Sequence, residues 1–266
     1  MTGPALLFDS HCHLDDPRFD GDREELLARL PDAGIFACLT CGSDLASSRA
    51  SLELAERFPY VYAACGIHPH EAGSAGEGAA EELERLLSHP RAVAVGEIGL
   101  DFHYGHSTGE KQLEWLSLQF DLALKVGKPV ILHVRDAHGA MLGFLRSRRD
   151  RLPPGVLHCF SGSAESAAEY EALGFHISFA GPVTFRNAEK AKLAAKVVSG
   201  ERLLIETDSP YLAPHPLRGQ RNDPSLVRLV CEELALLRGM TADEMARLTC
   251  RNACKLLGVP LPDGLA

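Results

Sequence analysis

Short apolar runs alternate along the whole chain with longer stretches in which apolar and charged positions recur at helical spacing. The runs are "ALLFDSH" (5–11), "GIFACLT" (34–40), "YVYAACGIH" (60–68), "AVAVGEIGL" (92–100), "PVILHV" (129–134), "GVLHCFS" (155–161), "FHISFAG" (175–181) and "LLIETDS" (203–209). They are mostly uninterrupted rather than alternating, the pattern of parallel strands covered on both faces. Between them, "EELLARLPDAG" reads as a helix stopped at Gly34. Ser107 with Glu110, and Thr241 with Glu244, have capping-box spacing at the starts of two further helices. "AGSAGEGAAEE" (72–82) reads as a surface loop entering a helix.

Eight strand–helix repeats in 266 residues predict an α/β protein, a (β/α)₈ TIM barrel formed as a single domain over 1–266. A doubly wound open sheet is the alternative, but it more often carries a glycine-rich phosphate turn after its first strand. Here that strand ends in histidines.

In such a barrel the active site lies at the carboxyl ends of the strands. Those ends carry His11 and His13, His68 and His70, Glu97 and Asp101, His133 and Arg135, His158, and Glu206 with Asp208. Positions i and i+2 of a strand share a face, so His11 and His13 are expected to point together into the mouth, with Cys12 turned away. Carboxylates inside apolar strands, such as Glu97, are costly to bury without partners. Imidazole and carboxylate donors together suit Zn²⁺, Mn²⁺, Co²⁺ or, where carboxylates dominate, Mg²⁺; Mg²⁺ or Mn²⁺ is the expected cofactor here, with Zn²⁺ as an alternative. Six such donors exceed the needs of one tetrahedral ion. They suffice for two ions about 3.5–4 Å apart with positions left for water and substrate. His89, His106, His138 and His176 read as surface or structural histidines.

Composition narrows the setting. No apolar stretch reaches the roughly 18 residues of a membrane span, and "MTGPALLFDS" has no basic region, so a cytoplasmic protein without membrane contact is expected. The eight cysteines, with no CxxC pair, are expected to be reduced, Cys250 and Cys254 as small buried residues of one helix. A net charge of −9 argues against a broad basic surface that grips long duplex. It leaves room for an anionic substrate, because bound cations reverse the local field.

The blocks "DSHCHLD", "GIHPH", "VGEIGLDF", "LHVRDA", "HCFSG", "ISFAGPVTF" and "ETDSPYLAP…RGQRNDP" occur in order, and together they resemble the TatD-type deoxyribonucleases, metal-dependent hydrolases of the amidohydrolase superfamily. The resemblance implies a TIM barrel with two divalent metal ions. It implies that His11, His13 and Asp208 hold one ion, that His133 and His158 hold the other, and that Glu97 bridges them in place of the modified lysine of many superfamily relatives. The expected activity is phosphodiester hydrolysis, 3′→5′ on single-stranded DNA or DNA ends. Asp208 is the expected proton acceptor and Glu97 the second catalytic group. His68, Arg135 and Arg221 are candidate phosphate contacts, with Glu206 and Asp101 orienting the ligand imidazoles. A small-molecule amide or lactone hydrolase is the competing enzyme reading, and a non-catalytic binding protein the third.

Overall fold

The computed structural model describes residues 6–262 and Leu265; Ala5, the first residue of the first expected strand, lies outside them. Strands and helices alternate as β1 (Leu7–Cys12), α1 (Arg23–Arg29), β2 (Ile35–Cys41), α2 (Leu45–Arg57), β3 (Val61–Cys65), α3 (Ala79–Leu87), β4 (Ala92–Asp101), α4 (Gly109–Val126), β5 (Val130–Arg135), α5 (His138–Ser147), β6 (Gly155–Leu157), α6 (Ala164–Ala172), β7 (His176–Phe179), α7 (Glu189–Val197) and β8 (Leu203–Ile205). Helices α8 (Val227–Arg238) and α9 (Ala242–Leu257) follow. All seven neighbouring strand pairs are parallel and in chain order.

The last strand meets the first through a narrow seam. Cys12 and Ser209 form an isolated bridge, the Asp208 amide donates to the His11 carbonyl at 2.9 Å, and the His13 amide donates to Ser209 at 2.7 Å. Beneath them the buried Asp9 carboxylate accepts from the Thr207 amide (2.8 Å) and hydroxyl (2.6 Å). The ring is therefore a nearly closed (β/α)₈ barrel, not an open doubly wound sheet.

Two apolar layers hold it. Phe8, Leu39, Ile131, Val156 and Leu204 belong to an inner cluster completed by Cys250, Cys254 and Leu257 of α9. The opposite strand faces, Leu7, Val95, Leu132 and Ile205 among them, pack with the helices in an outer cluster. A chain buried on both faces of its strands has to be apolar at consecutive positions, which is why the runs do not alternate.

The helix boundaries show small departures from expectation. Thr241 and Glu244 form the expected capping box at α9. At α4 the cap is Thr108, whose hydroxyl accepts from the Lys111 amide, and not Ser107. The Ser107 hydroxyl instead donates to the His70 carbonyl and accepts from the Gly73 amide, tying down the loop after β3. Helix α1 ends at Arg29, earlier than expected. Gly34 (φ +84°) sits in the turn that feeds β2, a left-handed position that suits glycine.

Candidate metal centre

Two strands carry a one-residue bulge where a candidate ligand sits. Asp9 faces Cys38 of β2 but Cys12 faces Thr40; Val95 faces Val130 of β5 but Ile98 faces Leu132. Bulges re-aim side chains, and here each shifts the inward–outward phase. Without them His11 would share the outward face of Leu7, and Glu97 that of Val95. With them Cys12 faces outward, donating to the Leu39 carbonyl, while His11, His13 and Glu97 turn into the mouth.

Glu97 is the hub. It is 3% exposed, and its two oxygens face different groups. Oε2 lies 3.2 Å from His11 Nε2 and 3.6 Å from His13 Nε2. Oε1 lies 2.8 Å from His133 Nδ1, 2.8 Å from His158 Nε2 and 3.3 Å from His68 Nε2. Asp208 adds Oδ1 at 3.7 Å from His11 Nε2 and 3.5 Å from His13 Nε2. The six residues expected as ligands thus converge, together with His68. Three overlapping groups have donor atoms close enough to hold an ion: His11, His13 and Glu97; His11, His158 and Asp208; His68, Glu97 and His133.

For His13, His133 and His68, hydrogen bonds on the far side of the ring decide which nitrogen is presented. His13 Nδ1–H donates to the Cys41 carbonyl at 2.9 Å, which leaves Nε2 as the inward lone pair of the neutral ring. His133 Nε2–H donates to Asp101 at 3.0 Å and presents Nδ1. His68 is opposite in sense. Its Nδ1 accepts from the His70 amide at 3.1 Å, so the neutral ring carries its proton on Nε2 and points a donor into the mouth. His70 fixes the loop by donating from Nε2 to Asp101 at 2.9 Å. Glu206 stands behind His158, with Oε1 3.4 Å from Nδ1 while accepting from the Cys159 amide at 2.6 Å.

The electrostatics follow from this crowding. Burial raises the pKa of Glu97, but the surrounding imidazoles His158, His68 and His11 outweigh it and hold the carboxylate ionised. Asp208 is lowered likewise, against burial, chiefly by His13. Burial lowers His13, yet the hydrogen bond to Asp208 and the charge of Glu97 bring it up to about 9. His158 and His133 are raised against burial too. For His68 burial wins over Glu97 and its pKa falls to about 4. Among the described residues, His11 Nδ1, His158 Nδ1 and Glu206 Oε2 are buried without a hydrogen-bond partner. Facing imidazole lone pairs around a shared carboxylate, with orphaned polar atoms behind them, fit a divalent-cation centre in their donor chemistry.

The centre floors a cleft of about 480 Å³ whose walls include His68, His70, Tyr104, Arg135, Asp15, Asp16, Glu71 and Tyr211. Five of the lining side chains are acids (Asp15, Asp16, Glu71, Glu97, Asp208), against one arginine. Arg221 departs from expectation. Its guanidinium grips Asp22 with two contacts of 2.6 Å, donates to the Arg18 carbonyl, and is absent from the cleft wall. Sequence reasoning placed it by loop position alone and could not see the competing carboxylate. It also passed over Tyr104 and Tyr211, although both follow strand ends.

Gly99 connects the fold to the site. A Cβ there would lie 1.9 Å from the His133 carbonyl oxygen, at φ +152°. Gly99→Ala is expected to cost about 1–3 kcal/mol in a denaturant titration, as overpacking does, and to lower metal affinity further by shifting His133. Unchanged metal affinity would separate Gly99 from the centre.

Side chains able to hold a metal ion, gathered at the carboxyl ends of a (β/α)₈ barrel, stand where the active sites of such barrels lie, and likeness to known proteins defines the class as metal-dependent hydrolase. A family model described as TatD related DNase matches residues 8–258, and the chain belongs to that family. It is 40% identical over 254 residues to the uncharacterized metal-dependent hydrolase YabD of Bacillus subtilis, covering 96% of this chain and all of that one. It is 36% identical over 256 residues to a 3′-5′ ssDNA/RNA exonuclease TatD of Edwardsiella piscicida, covering 94% and 98%. Among solved structures, YJJV, a TatD homolog from Escherichia coli K12, superposes with a TM-score of 0.89 at 34% identity, over 96% of this chain and 98% of that one.

Proposed function

We propose that this hydrolase is a divalent-cation-dependent nuclease that cleaves phosphodiester bonds of single-stranded DNA, or of DNA ends, in the 3′→5′ direction. The observation that carries the reading is the division of Glu97: one oxygen serves His11 and His13, the other His133 and His158. One ion would be held by His11, His13, Asp208 and Glu97, and a second by His133 and His158 with the same Glu97 carboxylate. Mg²⁺ or Mn²⁺ is the expected occupant. Bound there, two cations would supply an acidified water and neutralise charge on the phosphate oxygens.

The chain's own groups do the rest. Asp208, ionised and opening onto the cleft, accepts the proton of the attacking water at its carboxylate. As the water oxygen bonds to phosphorus, the P–O bond to the leaving sugar oxygen breaks, and that oxygen takes up a proton from solvent. His68 is kept out of the ligand set because its inward nitrogen bears a proton, and that N–H donates to a phosphate oxygen. Arg135, on the cleft wall, offers a second donor to the phosphodiester. Asp101 holds His133 in its orientation, and Glu206 places a carboxylate behind His158.

The relative named as a 3′-5′ ssDNA/RNA exonuclease favours nucleic acid over small molecules.

The deciding experiment offers labelled single-stranded DNA, duplex DNA and RNA beside a panel of lactones and amides, with Mg²⁺ or Mn²⁺ and then after chelation. Single strands should shorten from the 3′ end only when metal is present. Vigorous lactone or amide hydrolysis with untouched DNA would overturn the proposal in favour of the small-molecule alternative.

A further inference from the structure

Strands β4 and β8 are four apart in an eight-membered ring, so the segments leaving them stand on opposite lips of the cleft. Each lip presents a tyrosine that lines the cleft: Tyr104 after β4 and Tyr211 after β8. They remain 53% and 43% exposed, so neither ring is used up by the core.

Each is backed by an arginine. The Arg18 guanidinium lies 4.0 Å from the Tyr211 ring centre, and Arg135 lies 4.6 Å from that of Tyr104. Asp16 fixes the first pair, accepting from the Tyr211 hydroxyl at 3.0 Å and from Arg18 Nε and Nη2 at 3.1 Å each. With Arg18 on one face and Asp16 on the hydroxyl, the other face of Tyr211 is the one left to the cleft. Tyr104 is steadied edge-on by His70 (5.5 Å) and His103 (4.8 Å), and the His106 ring stacks offset against it, within 25° of parallel at 5.6 Å. Tyr211 leans edge-on towards His13 at 5.9 Å. One tyrosine thus flanks each half of the histidine cluster.

Fixed aromatic faces beside cations are what sequence-tolerant base stacking requires, since every base has a π-face. We infer that Tyr104 and Tyr211 are stacking platforms for the two nucleobases that flank the scissile phosphate, a specificity device that admits unpaired strand. The inference rests on the nuclease reading above. A base inside a duplex already has stacked neighbours and cannot be splayed onto a ring without losing them. Stacking does not read the 2′-hydroxyl, so the platforms serve DNA and RNA alike.

The test crosses Tyr104→Ala and Tyr211→Ala with oligonucleotides carrying a normal base or an abasic residue on either side of the scissile phosphate. Each alanine should lower kcat/KM about 10- to 100-fold on normal strands, and phenylalanine should restore most of it. The loss should vanish when the base on the matching side is already missing. The fluorescence of 2-aminopurine at that position should be quenched by the wild-type protein and not by the alanine variant. Equal losses on normal and abasic strands, rescue by leucine as good as by phenylalanine, or an effect at only one tyrosine would each overturn the two-platform assignment. If the wild-type protein leaves every oligonucleotide intact while hydrolysing a lactone, the nuclease reading itself falls. That outcome is distinct from alanine variants that cut normally, which overturns the platforms alone.

Discussion

Glu97→Gln should reduce kcat/KM on single-stranded DNA by more than about 10³-fold, the equivalent of some 4 kcal/mol of lost transition-state stabilisation. Glutamine preserves the shape but removes the charge that faces five imidazoles, one oxygen to each half of the cluster. Losing a shared carboxylate weakens both proposed ion positions together, and Lewis-acid stabilisation is itself worth several kcal/mol. The metal-free variant should nevertheless stay folded. The imidazoles that Glu97 keeps protonated can shed their protons once it is neutral, so no buried charge is stranded. Calorimetry should therefore show a similar metal-free melting temperature and a lost metal-dependent increment. A variant that still turned over at near wild-type rates would remove Glu97 from the centre.

Metal removal should reverse the sign of the pH dependence of stability between about pH 6.5 and 9. In the metal-free protein His13 is raised from 6.5 to about 9 by Asp208 and Glu97, against burial. A histidine raised on folding contributes stability that is fully present below its unfolded pKa and lost as pH climbs through its folded one. The metal-free protein should thus lose stability across that window, and His158 and His133, shifted in the same direction, reinforce the trend. Cation ligation requires the same rings to be neutral, so the Mn²⁺-loaded protein should gain stability over the window as proton competition fades. Melting temperatures of stripped and loaded samples at half-unit pH steps would check this. Parallel slopes would mean that these histidines do not exchange protons for cations.

Much of the architecture was legible because a barrel strand buried on both faces must be apolar at consecutive positions, and those runs stand out in the chain. The side chains of the centre were legible because charged groups interrupt such runs at one end only. Their aim was less secure. Alternation gave His11 and His13 a common face, but the bulges that point that face inward leave no sequence signature at Asp9–Cys12 or Val95–Ile98. Arg221 shows the limit of reading a loop: a guanidinium near the mouth serves whichever carboxylate reaches it first, and Asp22 does. Ser107 and Thr108 differ by one residue, and only tertiary contacts with His70 and Gly73 decide which one caps the helix. Tyr104 and Tyr211 carry no charge or motif, and their interest arises only from standing opposite one another.

The seam between β8 and β1 gives the proposed ligand set a temporal meaning. His11 lies in the first strand and His13 just after it, whereas Asp208 follows the last, nearly two hundred residues later, and the two ends meet at one isolated bridge with a few hydrogen bonds around it. An ion held by all three would rivet the last stave to the first. A nascent polypeptide cannot assemble that grip until Asp208 has left the ribosome, so hydrolytic competence arrives only with a chain complete enough to close its ring.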